Sequence, residues 1–229
     1  MTEEYLTDDE QLEAVKNAFK EYAPWIVGGV LIGAGVFFGI RYYQNYMNER
    51  ALKAAAQFSA MSDALQANDT VKSRQLADAL IKDYASSPYA DQAQLTLARL
   101  DIDEGQLDQA VAPLTQVMND SKDTELRQIA RLRLARILTD QGKSDAAIKT
   151  LAEPMPAAFA IPYHEVRGDA YLAKKDPSDA VTEYQAALAA ADSSGIDGSL
   201  LELKIQDLGA VRAPPAKTDS ADTVNKATH

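Results

Sequence analysis

From Tyr22 to Ile40 the chain carries no charged residue, and the apolar run stops sharply at Arg41. At 1.5 Å per residue, a helix over residues 23–40 reaches about 27 Å, close to the hydrocarbon thickness of a bilayer. Tyr22 and Trp25 stand at one end and Tyr42, Tyr43 and Tyr46 at the other, where amphipathic rings settle at headgroup level. The run is too long for the apolar region of a cleaved signal peptide, and the residues after Ile40 are bulky and polar rather than small. The pattern predicts an uncleaved signal anchor, a transmembrane helix over residues 23–41. Ahead of it, Thr7 and Glu10 make a capping box, and Leu12, Val15, Phe19 and Tyr22 share one helical stripe. Residues 1–22 therefore read as a short amphipathic tail.

After the anchor the apolar period is helical and it repeats. Ala110, Ala147 and Ala180 align at offsets of 37 and 33 residues. Twelve residues earlier stand Ala98, Ala135 and Gly168, and four residues later Leu114, Leu151 and Tyr184. Gly105 and Gly142 occupy the turn in two units, with Lys175 in the third. A weaker first unit places Ala77 thirty-three residues before Ala110, with a first helix over about residues 51–66. Small residues where two helices cross permit close approach, and bulky residues on neighbouring turns fill the groove between them. This is the tetratricopeptide pattern, clearest in Gly168, Tyr171, Ala180, Tyr184 and Ala187. Pro154, Pro156 and Pro162 should interrupt helices, and Asp176 with Pro177 should start one. Leu200, Leu201, Leu203, Ile205 and Leu208 suit a closing helix, and the polar stretch 210–229 suits a disordered tail. The fold expected is all-α: a transmembrane helix followed by a helical-repeat solenoid over residues 42–209.

Composition narrows the chemistry. Forty alanines against eleven glycines and nine prolines favour helix. A net charge of −11 opposes nucleic-acid binding. No cysteine is present, which removes disulfides and thiolate chemistry. His164 and Glu165 begin like a zinc-protease helix, but Gly168 occupies the second ligand position. Gly33, Gly35 and Gly39 imitate a dinucleotide fingerprint with one spacing too long and no preceding strand. No catalytic, cofactor-binding or metal site can be nominated, so neither enzyme activity nor a cofactor is expected.

What the repeats offer is a surface. The first helices of successive hairpins should line a concave groove whose ladders run through Leu95 and Leu132, through Arg99 and Arg136, and through Ile102 and Leu172. Glu165 and Asp169 continue the first two, and Thr139 stands within the last. The aliphatic members of these ladders fit the interhelix core equally well. In the anchor, Gly29 with Gly33 and Gly35 with Gly39 have the spacing of a helix–helix contact, either with a second copy in a homodimer or with a partner helix. The same glycines are also ordinary in membrane helices. Lys16 and Lys20 before the span against Arg41, Arg50 and Lys53 after it slightly favour a cytoplasmic C-terminal domain, but by a margin that leaves the orientation open.

The sequence ArgLeuArgLeuAlaArgIleLeu at 131–138, SerAspAlaAlaIleLysThrLeu at 144–151, ArgGlyAspAlaTyrLeu at 167–172 and LeuLysIleGlnAspLeu at 203–208 resembles the YfgM family. GlnLeuGluAlaValLys at 11–16 and the glycine-rich anchor extend the resemblance over about residues 8–209. That family comprises tetratricopeptide-like ancillary subunits of the SecYEG translocon. The resemblance implies a single-pass protein of the bacterial inner membrane with a cytoplasmic N-terminus and a periplasmic repeat domain. It further implies binding to SecYEG and to a PpiD-like membrane-anchored chaperone, so that nascent secreted polypeptides pass to periplasmic folding factors. A membrane-anchored scaffold for envelope assembly or stress signalling is the alternative it leaves.

Overall fold

The computed structural model describes residues 8–209, and within 8–26 it describes side chains only at Lys16, Lys20, Tyr22 and Trp25. The Thr7 cap and the tail from residue 210 lie outside the described residues, and the stripe of Leu12, Val15 and Phe19 rests on side chains outside those described. All regular structure among the described residues is helical. The chain divides into two units, the first ending at Ala56 and the second beginning at Gln57. One helix, α1 (Asp8–Gln66), runs from the first unit into the second.

In the first unit, Val27, Val30, Leu31, Ile32, Val36, Phe37, Phe38 and Ile40 are all exposed. At 100° per residue these positions point to every side of α1. A carbon added at Gly29, Gly33, Gly35 or Gly39 would meet no other atom within 4 Å. Among the described residues no helix is long and apolar enough to cross a membrane. Side chains are described without a gap from Val27, and the run to Ile40 reaches about 20 Å against about 30 Å of hydrocarbon.

The second unit is a series of hairpins. The end of α1 pairs with α2 (Thr70–Asp83), α3 (Pro88–Asp103) with α4 (Leu107–Asp120), α5 (Thr124–Asp140) with α6 (Ser144–Thr150), and α7 (Ala160–Ala173) with α8 (Pro177–Ser194). A last helix, α9 (Ser199–Asp207), packs on α8. Each hairpin turns through one left-handed residue: Asn68, Gly105, Gly142 and Lys175 have φ of 56°, 74°, 74° and 67°. At each turn the following N–H bonds the carbonyl five residues back, Asp69 to Ala64, Gln106 to Asp101, Lys143 to Leu138 and Asp176 to Tyr171. These bonds satisfy carbonyls that a helix end would leave orphaned. Glycine enters this conformation freely and asparagine with little penalty, whereas Lys175 costs about 1 kcal/mol there.

The turns fix a register that apolar spacing leaves ambiguous. Measured from them, Ser73 stands where Ala110, Ala147 and Ala180 stand, and Ala77 matches Leu114, Leu151 and Tyr184. The expected alignment of Ala77 with Ala110 is therefore one helical turn out. Four residues nearly complete a turn, so Ser73 and Ala77 share a face and both are fully buried. Ser73 Oγ donates to the Met61 carbonyl at 3.4 Å.

With that register, bulk trades places across the hairpins. Corresponding buried pairs are Met61 and Ala77, Ala98 and Leu114, Ala135 and Leu151, and Gly168 and Tyr184. The large member sits on the first helix in the first hairpin and thereafter on the second helix or, for Leu151, at its C-cap. At Gly168 a Cβ would lie 2.5 Å from Tyr184 Cε1, so the buried ring requires glycine opposite it. Full burial of Leu114 or Leu151 contributes roughly 2 kcal/mol each.

Consecutive first helices pack directly, α3 on α5 and α5 on α7. No comparable packing joins α4 to α6 or α6 to α8 among the described residues. Within this unit the first helices are the closer set, and the side they present is taken as the inner face. Asp176 caps α8 by accepting from the Asp179 N–H, with Pro177 in the first turn, as expected. Pro162 does not interrupt a helix: it lies in the first turn of α7, where its missing N–H forfeits no bond. His164 is half-buried and places Nδ1 2.8 Å from Glu183 Oε2.

Candidate partner-binding face

The ladders read from the sequence separate by depth. Leu95 and Leu132 are 7% and 6% exposed and belong to the apolar clusters between helices. Ile102 is half-buried against the first cluster. Arg99, Arg136 and Leu172 are exposed on α3, α5 and α7 respectively. Thus Leu95 and Leu132 lie beneath, and the arginines stand above them at the surface together with Leu172.

A third cation joins them. Arg133 precedes Arg136 by three residues, which puts the two on one face of α5. Burial, and then the neighbouring guanidiniums of Arg99 and Arg136, push the Arg133 guanidinium down from its usual value. Arg99 reaches Asp103 at 3.6 Å, but neither Arg133 nor Arg136 has an ion pair among the described residues. Some other cations do have carboxylate partners: Arg74 meets Asp101 at 2.7 Å and Glu104 at 3.0 Å, and Arg131 meets Glu153. The run ArgLeuArgLeuAlaArg at 131–136 displays Arg133, and its spacing of three from Arg136 was the available signal.

The same ladders end differently at α7. Lys204 of α9 donates to Glu165 at 2.9 Å and to Asp169 at 2.8 Å. The fully buried Tyr184 donates its hydroxyl to Asp169 at 2.7 Å. Burial alone would depress the Lys204 ammonium, but the hydrogen bonds to Asp169 and Glu165 raise it above its usual value. Burial, and then the Asp169 carboxylate, raises the Tyr184 phenol. Carboxylates at the last ladder positions are therefore consumed internally, whereas the guanidiniums before them stay open.

The likeness to known proteins runs almost end to end. A family model described as a tetratricopeptide repeat-like domain matches residues 16–210. Curated relatives named "Ancillary SecYEG translocon subunit" occur in Escherichia coli (strain K12) and Neisseria gonorrhoeae, each 29% identical over 206 residues. Another of that name, from Haemophilus influenzae, is 24% identical over 203 residues. Each match covers 89% of this chain and 98% of the relative. No solved structure matches significantly. The match thus runs along nearly the whole of these relatives, and by its hairpins, its turns and the family model the chain belongs to the tetratricopeptide repeat-like domain family.

Proposed function

We propose that this chain is a non-catalytic ancillary subunit of the Sec translocon. The observation that carries the reading is the match to ancillary SecYEG translocon subunits over 98% of their length. Residues 23–41 anchor it in the inner membrane, residues 1–22 lie in the cytoplasm, and the repeat domain of residues 42–209 lies in the periplasm. The apolar side chains exposed on every side of α1 between Val27 and Ile40 support the anchor, since water would not tolerate them. Gly29, Gly33, Gly35 and Gly39, with open space beside each, are suited to close contact with a helix of SecYEG or of a second copy.

The repeat domain engages a PpiD-like membrane-anchored chaperone and nascent secreted polypeptides through the inner face of α3, α5 and α7. Arg99, Arg136, Ile102 and Leu172 supply its surface, with Leu95 and Leu132 supporting it from below. Purification of the full chain from native membranes in mild detergent tests this function. SecY, SecE and SecG together with a PpiD-like chaperone should be recovered with it. Recovery of neither the channel nor the chaperone would refute the reading.

A further inference from the structure

Three guanidiniums converge where the face is open. Arg133 and Arg136 stand one turn apart on α5, and Arg99 holds on α3 the position that Arg136 holds on α5. Because α3 packs against α5, the three charges share one patch and repel one another. Internal compensation is slight, since only Arg99 has a carboxylate, at 3.6 Å. Among the described residues two of these arginines have no ion pair, while Arg74, Arg131 and Lys204 each have one. Such an arrangement is electrostatically costly alone and favourable once an anion is seated.

We propose that Arg99, Arg133 and Arg136 bind an extended acidic peptide segment of a partner protein, with carboxylates two residues apart along it. This rests on the reading of the inner face as the partner-binding face, and it specifies the chemistry of what binds there. The planar guanidinium fork matches a carboxylate with two parallel hydrogen bonds, and such charge-assisted bonds are about twice as strong as neutral ones. Alternate residues of an extended chain project to one side about 7 Å apart, a span that fits between neighbouring helices 8–10 Å apart. A nucleic-acid backbone would be repelled by the net charge of −11.

The test uses the full chain in zwitterionic nanodiscs and a fluorescent peptide alternating glutamate with alanine, read by anisotropy at low salt. The matched peptide carries glutamine in place of glutamate. The glutamate peptide should bind at least about tenfold more tightly than the glutamine peptide, and Arg133→Gln with Arg136→Gln should abolish that difference. Lys149→Gln, an exposed cation on α6, should leave it unchanged. Unaltered thermal unfolding of the double variant secures the comparison. Equal binding of the two peptides, or full binding by the double variant, would overturn the proposal. So would arginine-dependent binding to phosphatidylglycerol vesicles without peptide binding, which would assign the patch to lipid headgroups. If peptide binding fails while the translocon still co-purifies, this inference falls and the functional reading stands. If the translocon is lost while peptide binding persists, the functional reading falls.

Discussion

At α7 the inner face carries Glu165 and Asp169, and α9 neutralises both with Lys204. At α3 and α5 the equivalent positions include Arg99 and Arg136, joined by Arg133, and nothing comparable covers them. One end of the face therefore uses charge to hold the stack together, and the other holds charge that weakens it slightly. Lys204 is raised by its hydrogen bonds to Asp169 and Glu165, while Arg133 is lowered first by burial and then by Arg99 and Arg136.

Substitutions can break this contrast, and the largest effect belongs to packing at the closed end. Gly168→Ala would set a Cβ 2.5 Å from the Tyr184 ring, which is buried and has no room to swing aside. After the gain in helix propensity, a net loss of about 2 kcal/mol is expected by urea unfolding. Adding Tyr184→Leu should recover part of it by reproducing the Ala135 and Leu151 pair of the preceding hairpin.

Lys204→Met comes next, with an expected loss of about 1–2 kcal/mol once the partial exposure of the pair is discounted. Because folding raises both Lys204 and Tyr184, their contributions are fully present below the unfolded values of about 10 and are lost as pH climbs through the folded ones. Wild-type stability should therefore fall above about pH 10, and Lys204→Met should fall less steeply. A parallel decline in both proteins would show that α9 is not held by that cation.

Asp123→Ala removes the cap that accepts from the Glu125 and Leu126 N–H groups at the start of α5. It should cost about 1 kcal/mol in thermal unfolding while leaving the arginines in place. The smallest effect has the opposite sign. Arg133→Met keeps the packed stem and discards the repelled charge, so stability should stay level or rise by a few tenths of a kcal/mol. A clear destabilisation there would remove the contrast between the two ends.

The hairpins were legible because Ala98 with Ala110 and Ala135 with Ala147 recur at one offset across the glycine turns at Gly105 and Gly142. The first hairpin was misaligned because Asn68 does not look like the glycine that fills two later turns, and because Ser73 and Ala77 lie one turn apart on the same buried face. In the groove, period alone brought out Arg99 and Arg136 but not the depth of Leu95 and Leu132. Arg133 was missed because its counterparts Thr96 and Val166 are not cations, so no ladder ran through it. The closing role of Lys204 was equally hidden, since 35 residues separate it from Asp169 and no repeat relates them.

Site-specific crosslinking in native membranes tests the central claim most directly. A photoreactive residue at Arg136, on the inner face of α5, is compared with one at Ala112, exposed on α4. The account predicts adducts with SecYEG components, a membrane-anchored chaperone or secreted chains from position 136 and far fewer from 112. Equal capture from both positions, or capture of none of these partners from 136, would contradict it.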